Sequence, residues 1–208
     1  MATELKGYLT SHEKEVIRPQ KTVIEAYECF LKGVELFHQL DVWESKKMFK
    51  KAIKIDPEYA PAHAGLSDVL AQIYEWHGGD NSDLLLAESH SVKALSLNPN
   101  MAESHSSYGF VLSMRKRYNE AEKEFKEAIR LNPKSFDAYY RYGRYSFARG
   151  DIEKSAKMFL KASEVRIEDF QSLAKGTDAQ LEAGIKEVTK LLKTNFKDPK
   201  RPAYENRN

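Results

Sequence analysis

A single cysteine, Cys29, stands in 208 residues, which excludes any internal disulfide framework. It falls at a packing slot and reads as a small core hydrophobe rather than a nucleophile. Long apolar runs are missing too, and none approaches the roughly 20 residues a membrane-spanning helix needs, so no membrane partner is expected. Charge of one sign is also absent: 33 Lys and Arg offset 31 Asp and Glu, interspersed along the chain, for a formal net charge of +2. A nucleic-acid binder would carry a basic stripe, so nucleic acid is not expected as a partner. Met1-Ala2-Thr3-Glu4-Leu5-Lys6 bears charges where a secretion signal carries its apolar region, which points to the cytoplasm. No Ser-His-Asp set, Gly-rich phosphate loop or carboxylate pair can be assembled. The expectation is a non-enzyme without catalytic residues, cofactor or metal.

What the chain does have is a pattern written four times. A Gly or Ser is followed twelve residues on by a small residue, then by Phe or Ser, Ala and usually Pro. Its best copy is Tyr108-Gly109, Leu112, Ala121, Phe125, Ala128 and Leu131-Asn132-Pro133. Pro99 to Pro133 spans thirty-four residues, the period of the tetratricopeptide helical repeat. One such repeat cannot bury its apolar face alone, so an all-α, right-handed solenoid of antiparallel helix pairs is expected, about four repeats plus a degenerate fifth.

The spacing predicts a first helix over Ile24–Leu40, an N-cap at Asp41 and a second helix over Trp43–Ile55, stopped by Asp56-Pro57. Gly in a helix interior costs about 1 kcal/mol against Ala. Its recurrence at Gly33, Gly109 and Gly143 therefore predicts close approach of two helix backbones. The second copy is eight residues longer than the period, and Glu75–Asp83 reads as an inter-helix loop protruding from the stack, with Ser82 or Asp83 capping the next helix. The expected organisation is a short helical segment and linker over 1–22 and four repeats over 23–167. A degenerate repeat or capping helix follows over 168–196, with Leu181, Ile185, Val188, Leu191 and Leu192 on one face, then a polar tail over 197–208.

Three runs carry a closer resemblance. Thr22-Val23-Ile24-Glu25-Ala26-Tyr27-Glu28-Cys29-Phe30-Leu31-Lys32-Gly33, Asp56-Pro57-Glu58-Tyr59-Ala60-Pro61-Ala62-His63 and Asn98-Pro99-Asn100-Met101-Ala102-Glu103-Ser104-His105 resemble one subgroup of tetratricopeptide repeats. Arrays of that subgroup often form the C-terminal part of bacterial multidomain proteins. Their N-terminal partners include nucleotide cyclases, winged-helix regulators and protein kinases. The resemblance implies the fold strongly and the task weakly.

In this family the first helix of each pair lines a concave groove. The matching residues are Tyr27, Phe30, Val34 and Phe37; Ala64, Asp68 and Ala71; Ser106, Phe110 and Met114; then Tyr140, Arg144 and Phe147. An apolar, aromatic inner face of that size tends to mark a binding site. The implied function is a scaffold binding a partner peptide or helix there. Filling of the groove by the chain's own ends, or self-association, is the competing reading, with a monomer or weak homo-oligomer expected. The family's carboxylate clamp for chaperone tails needs Lys, Asn, Lys and Arg where this chain has Phe30, Val34, Glu103 and Ser107, so that partner is not implied. Arg141 and Arg144 read either an acidic group or only solvent. His63 and His105 share one slot in successive repeats and read as packing residues rather than metal ligands. His77 with Asp80–Asp83 reads as loop and cap, since a calcium loop's later Glu and central Gly are missing.

Overall fold

The computed structural model describes residues 24–174, with side chains to 167. The segment over 1–22, the expected capping segment beyond residue 174 and the polar tail lie outside these residues, while residues 168–174 continue the last described helix. The chain divides into two compact units, 1–162 and 163–208. Of the second, only the last part of one helix is described.

The described residues form eight helices and no strand: α1 (Ile24–His38), α2 (Val42–Ile55), α3 (Ala60–Trp76), α4 (Asn81–Leu97), α5 (Ala102–Met114), α6 (Tyr118–Leu131), α7 (Phe136–Ala148) and α8 (Ile152–Ala174). Consecutive helices pair as α1/α2, α3/α4 and α5/α6. The first helices α1, α3, α5 and α7 each touch the next, giving one continuous wall. This is an α-solenoid of stacked helix pairs.

The first three pairs end by the same local device. Asp56, Asn98 and Asn132 precede a proline and adopt extended backbone, with ψ of 94°, 90° and 91°, because the following pyrrolidine ring disfavours helical geometry. Their side-chain oxygens accept from the amides of Glu58, Asn100 and Lys134 at 3.1, 3.2 and 2.9 Å. Each is an Asx turn that delivers the chain to the next repeat.

The turns inside three pairs are equally regular. Leu40, Lys116 and Gly150 have positive φ (64°, 59° and 76°). The residues after them, Asp41, Arg117 and Asp151, donate their amides to Leu36, Leu112 and Ser146 carbonyls at 2.9 Å. That is the six-to-one bond of a left-handed helix stop. Asp41 then caps α2 by accepting from the Glu44 amide, and Asp151 does the same from Lys154.

The second pair departs from the expectation. Its surplus residues do not form a protruding loop: α3 and α4 are 17 residues each, against 13 and 14 in the third pair. Most of the surplus is helix, and only His77–Asp80 connect the two. The cap is Asp80, which accepts from the Ser82 and Asp83 amides, rather than Ser82 or Asp83.

Glycines sit where expected, though what approaches them is an aromatic ring. A Cβ on Gly33 would lie 2.8 Å from the Phe49 ring, and on Gly143 2.8 Å from Phe159. On Gly109 it would meet Phe125 at 3.0 Å. A Cβ on Gly65 of the next repeat would also lie 2.7 Å from the Phe49 ring, so one ring is wedged between two glycines. In the second pair, Ser67 and Ser91 replace that Gly and Phe, and Ser67 Oγ donates to the Ala87 carbonyl at 2.8 Å. Ser45 Oγ donates to Gly33 at the same distance. The core runs continuously through Phe49, Leu66, Leu70, Val111 and their neighbours, with Ala52, Ala94 and Ala128 fully buried.

Candidate functional site

The wall made by α1, α3, α5 and α7 holds a cavity of about 220 Å³. α1 supplies Phe37 and His38, the turn after it Leu40, and α5 supplies Phe110. α3 supplies Asp68, Gln72, Glu75 and Trp76, while α7 supplies Asp137, Tyr140, Arg141 and Arg144.

Five of the thirteen expected groove residues meet there: Phe37, Asp68, Phe110, Tyr140 and Arg144. Phe30 is buried, its ring 5.8 Å from Phe49 and edge-on to Tyr59 at 5.4 Å. Tyr27, Val34 and Met114 are partly buried against the same core. Phe147 is 63% exposed and lies off the cavity. The wall therefore has a packed start, where α1's aromatics face inward, and an open middle.

Two ion pairs cross the floor. Arg141 Nη1 donates to Asp68 Oδ1 at 2.7 Å, with the side chains 11% and 19% exposed. Arg144 Nη2 donates to Glu75 Oε1 at 2.5 Å. Burial disfavours charge on Arg141, but Asp68, with Asp137 behind it, more than offsets this and raises its pKa above the ordinary value. Both guanidiniums also stack: Arg141 lies 5.2 Å from the Phe110 ring centre, and Arg144 lies 5.2 Å from Trp76 and 5.7 Å from Phe110. Neither arginine is a solvated helix charge.

Glu75, Trp76 and Arg141 lie outside the expected groove set. Loop chemistry at Gly78-Gly79 draws Glu75 and Trp76 into the expected loop, although Asp68, Gln72, Glu75 and Trp76 continue one helical face at spacings of four, seven and eight. Arg141 sits one position after the groove slot of Tyr140, and only its ionic partner on α3 marks it.

The histidines lie elsewhere and repeat a device of their own. His63 Nε2 and His105 Nε2 bond the carbonyls of Pro57 and Pro99, at 3.0 and 2.9 Å. Each ring thus ties a first helix to the turn before it. Carbonyls only accept, so Nε2 carries a proton in both. His63 Nδ1 then accepts from His90 Nδ1 at 2.9 Å in a neutral pair. Burial and the neighbouring ring push His90 down to about 4; burial, ahead of Lys93, also lowers His63. His105 Nδ1 instead faces Glu124 Oε2 at 2.7 Å. Burial opposes its charge, yet the Glu124 carboxylate and the Pro99 carbonyl outweigh that and raise its pKa. Among the described residues no group of three or more His, Cys, Asp or Glu is arranged to hold a metal. Nor is any described helix long and apolar enough to cross a membrane. Cys29 is buried.

Two family models described as tetratricopeptide repeat match residues 102–135 and 124–156. Residues 102–156 are tetratricopeptide repeats. A thermophilic tetratricopeptide protein of Thermus thermophilus has the same fold, with TM-score 0.58, 18% identity and 84% of each chain covered. The first such array of Spaghetti (RPAP3), solved bound to an HSP90 peptide, has TM-score 0.51 at 20% identity, covering 62% of this chain and 98% of that one. By sequence, the array is 27% identical to the type IV pilus assembly protein PilF of Pseudomonas aeruginosa, over 81% of this chain and 68% of that protein. It is 28% identical to putative adenylate cyclase 3 of Rhizobium meliloti, over 57% of this chain and 21% of the cyclase. It is 35% identical to the protein O-mannosyl-transferase Tmtc2 of Drosophila melanogaster, over 38% of this chain and only 8% of that protein. The array thus spans a small part of the transferase and the cyclase and about two thirds of the pilus protein.

Proposed function

We propose that the array is a non-enzymatic, cytoplasmic scaffold that binds a partner peptide or helix along its concave wall, centred on the cavity between α1, α3, α5 and α7. The observation that carries this is the exposure of two aromatics around one concavity: Trp76 is 56% and Tyr140 39% exposed. Aromatics and Arg in a concave setting are the residue types interfaces favour. The groove residues that pack into the core (Phe30, Tyr27, Val34 and Met114) shape the wall in this reading, and Tyr140, Trp76 and Phe110 make contact. The Spaghetti array is solved with an HSP90 peptide. In this chain the clamp slots hold Phe30, Val34, Glu103 and Ser107, so a carboxylate-tailed peptide of that kind is not the proposed partner.

Peptide selection on the purified chain tests the reading. Selected peptides should compete with one another and lose at least tenfold in affinity on Tyr140→Ala, with helicity unchanged. Phe110→Ala is the poorer probe because Phe110 also packs against the buried residues around Leu70 and Val111 and those around Phe125 and Tyr142. Peptides that bind the Tyr140→Ala variant as tightly as the parent would sink the groove.

The likeness to a putative adenylate cyclase favours a second reading, a docking or regulatory tail of a larger signalling protein. A cyclase, kinase or DNA-binding domain encoded in frame upstream supports it, and a stop codon before any such domain excludes it. Self-association through the end helix around Ile185 and Leu192 concerns residues outside those described, and light scattering of the full chain tests it.

A further inference from the structure

The charges around the cavity say which kind of side chain it takes. Three carboxylates, Asp68, Glu75 and Asp137, line it against two guanidiniums, Arg141 and Arg144. Both guanidiniums are already engaged, by Asp68 and Glu75. Asp137 is exposed in the first turn of α7 and has no hydrogen bond or ion pair among the described residues. An arriving carboxylate would meet neutralised arginines and a surplus of negative charge, and would have to break an ion pair to be bound. An arriving cation meets the opposite situation. The walls suit it as well: Arg144 stacks on Trp76 and Phe110 at 5.2 and 5.7 Å, so these surfaces already hold one planar cation, and the Tyr140 ring, stacked on Phe136 at 5.6 Å, stays 39% exposed and offers its open part.

We propose that this cavity reads a basic side chain of the partner, an Arg or Lys with an apolar neighbour, the charge set against Asp137 and Tyr140 and the neighbour against Phe37 and Leu40. This rests on the groove reading and adds the partner's chemistry to it. The cationic head gains from the unpaired carboxylate and the aromatic face together. Its aliphatic stem covers apolar wall in the manner of long basic side chains at interfaces.

A phage-displayed library of random dodecapeptides, panned on the full chain, tests it. Peptides whose binding depends on Tyr140 should be enriched in Arg or Lys beside an apolar residue. Their affinity should fall about tenfold on Asp137→Asn and weaken with added salt. Asp137→Lys should reverse the preference, so that the same library now yields acidic peptides. Asp137 is exposed, and circular dichroism of both variants should match the parent. Tyr140-dependent peptides with no basic enrichment, or with affinity unmoved by Asp137→Lys, overturn the basic-side-chain proposal and leave the groove reading standing. A library that yields no Tyr140-dependent peptide overturns both.

Discussion

Arg141 and Asp68 are seventy-three residues apart in sequence, yet Nη1 and Oδ1 lie 2.7 Å apart. They join α7 to α3 across the face of α5, where Arg141 also reaches Ser107 Oγ at 3.4 Å. With Arg144–Glu75 beside it, the pair makes a strut from the second repeat to the fourth. A stack of repeats otherwise joins only nearest neighbours, so these two pairs add a longer-range tie between α3 and α7.

Breaking the strut from one side should cost more than removing it. Arg141→Met leaves Asp68 poorly hydrated with its charge uncompensated, and about 2 kcal/mol of stability should be lost. The double variant Arg141→Met with Asp68→Leu should recover most of that, since an apolar pair of similar volume replaces a largely buried ionic one. Urea denaturation of the four chains of this cycle measures the coupling. Additive single and double losses would mean that the two residues act independently.

Phe49 supplies a second test. Its ring is 2% exposed and lies between Gly33 and Gly65. Gly→Ala in a helix ordinarily gains about 1 kcal/mol. At Gly33 the new methyl would meet a buried ring at 2.8 Å, and overpacking of that kind costs about 1–3 kcal/mol. Gly33→Ala should therefore be net destabilising. Phe49→Leu, harmful alone, should reduce the penalty when combined with it. Thermal unfolding of the three variants reads this, and a stabilising Gly33→Ala would show that the ring can move aside.

The repeat is legible in the sequence because its slots are filled by residues with few alternatives. Gly33, Gly109 and Gly143 leave room for a ring, the buried alanines admit no larger side chain, and Asp or Asn before Pro can only end a helix. The second pair is harder, because Gly78-Gly79 and the polar residues beside it carry loop chemistry while most of the surplus is helical. The groove is half legible. Helical phase assigns Phe30 and Phe110 to equivalent faces, but the degree to which neighbours cover each depends on tertiary packing. Phe30 is covered by Phe49 and Tyr59, whereas Tyr140 is left partly open. Arg141 could not be read from its own helix, since its role is set by an acid two repeats away.

Lys116 gives a stabilising prediction. Its φ of +59° is one that L side chains adopt at a cost, and Gly150 fills the equivalent turn in the fourth pair. Lys116→Gly relieves about 1 kcal/mol of local strain and gives back part of it as added freedom of the unfolded chain. A net gain of about 0.5 kcal/mol is expected in chemical denaturation. A loss would mean that the lysine's own contacts outweigh the backbone strain.

His63 and His90 predict how stability follows pH. Both have folded pKa values below the unfolded value of about 6.5, and His90 is pushed down to about 4. Above pH 6.5 both rings are neutral, folded or unfolded, and their pairing contributes in full. As pH falls below 6.5 the unfolded chain takes up protons that the folded pair refuses, so stability falls until His90 itself titrates near 4. The site is only half-buried, and after allowance for solvent screening the loss is about 1–2 kcal/mol. His105 has the opposite sign, because its pKa is raised beside Glu124. Its contribution is complete below 6.5 and fades as pH rises through the folded value, so it does not mask the acid-side slope. Urea midpoints between pH 7 and 4 should therefore drop in the parent chain and drop less in His90→Asn, which removes one titrating ring and keeps a donor near His63. An equal drop in parent and variant would assign the acid sensitivity to the carboxylates instead, with Glu122 first among them, since its bonds from Tyr142, Lys126 and Lys154 hold it down at about 2.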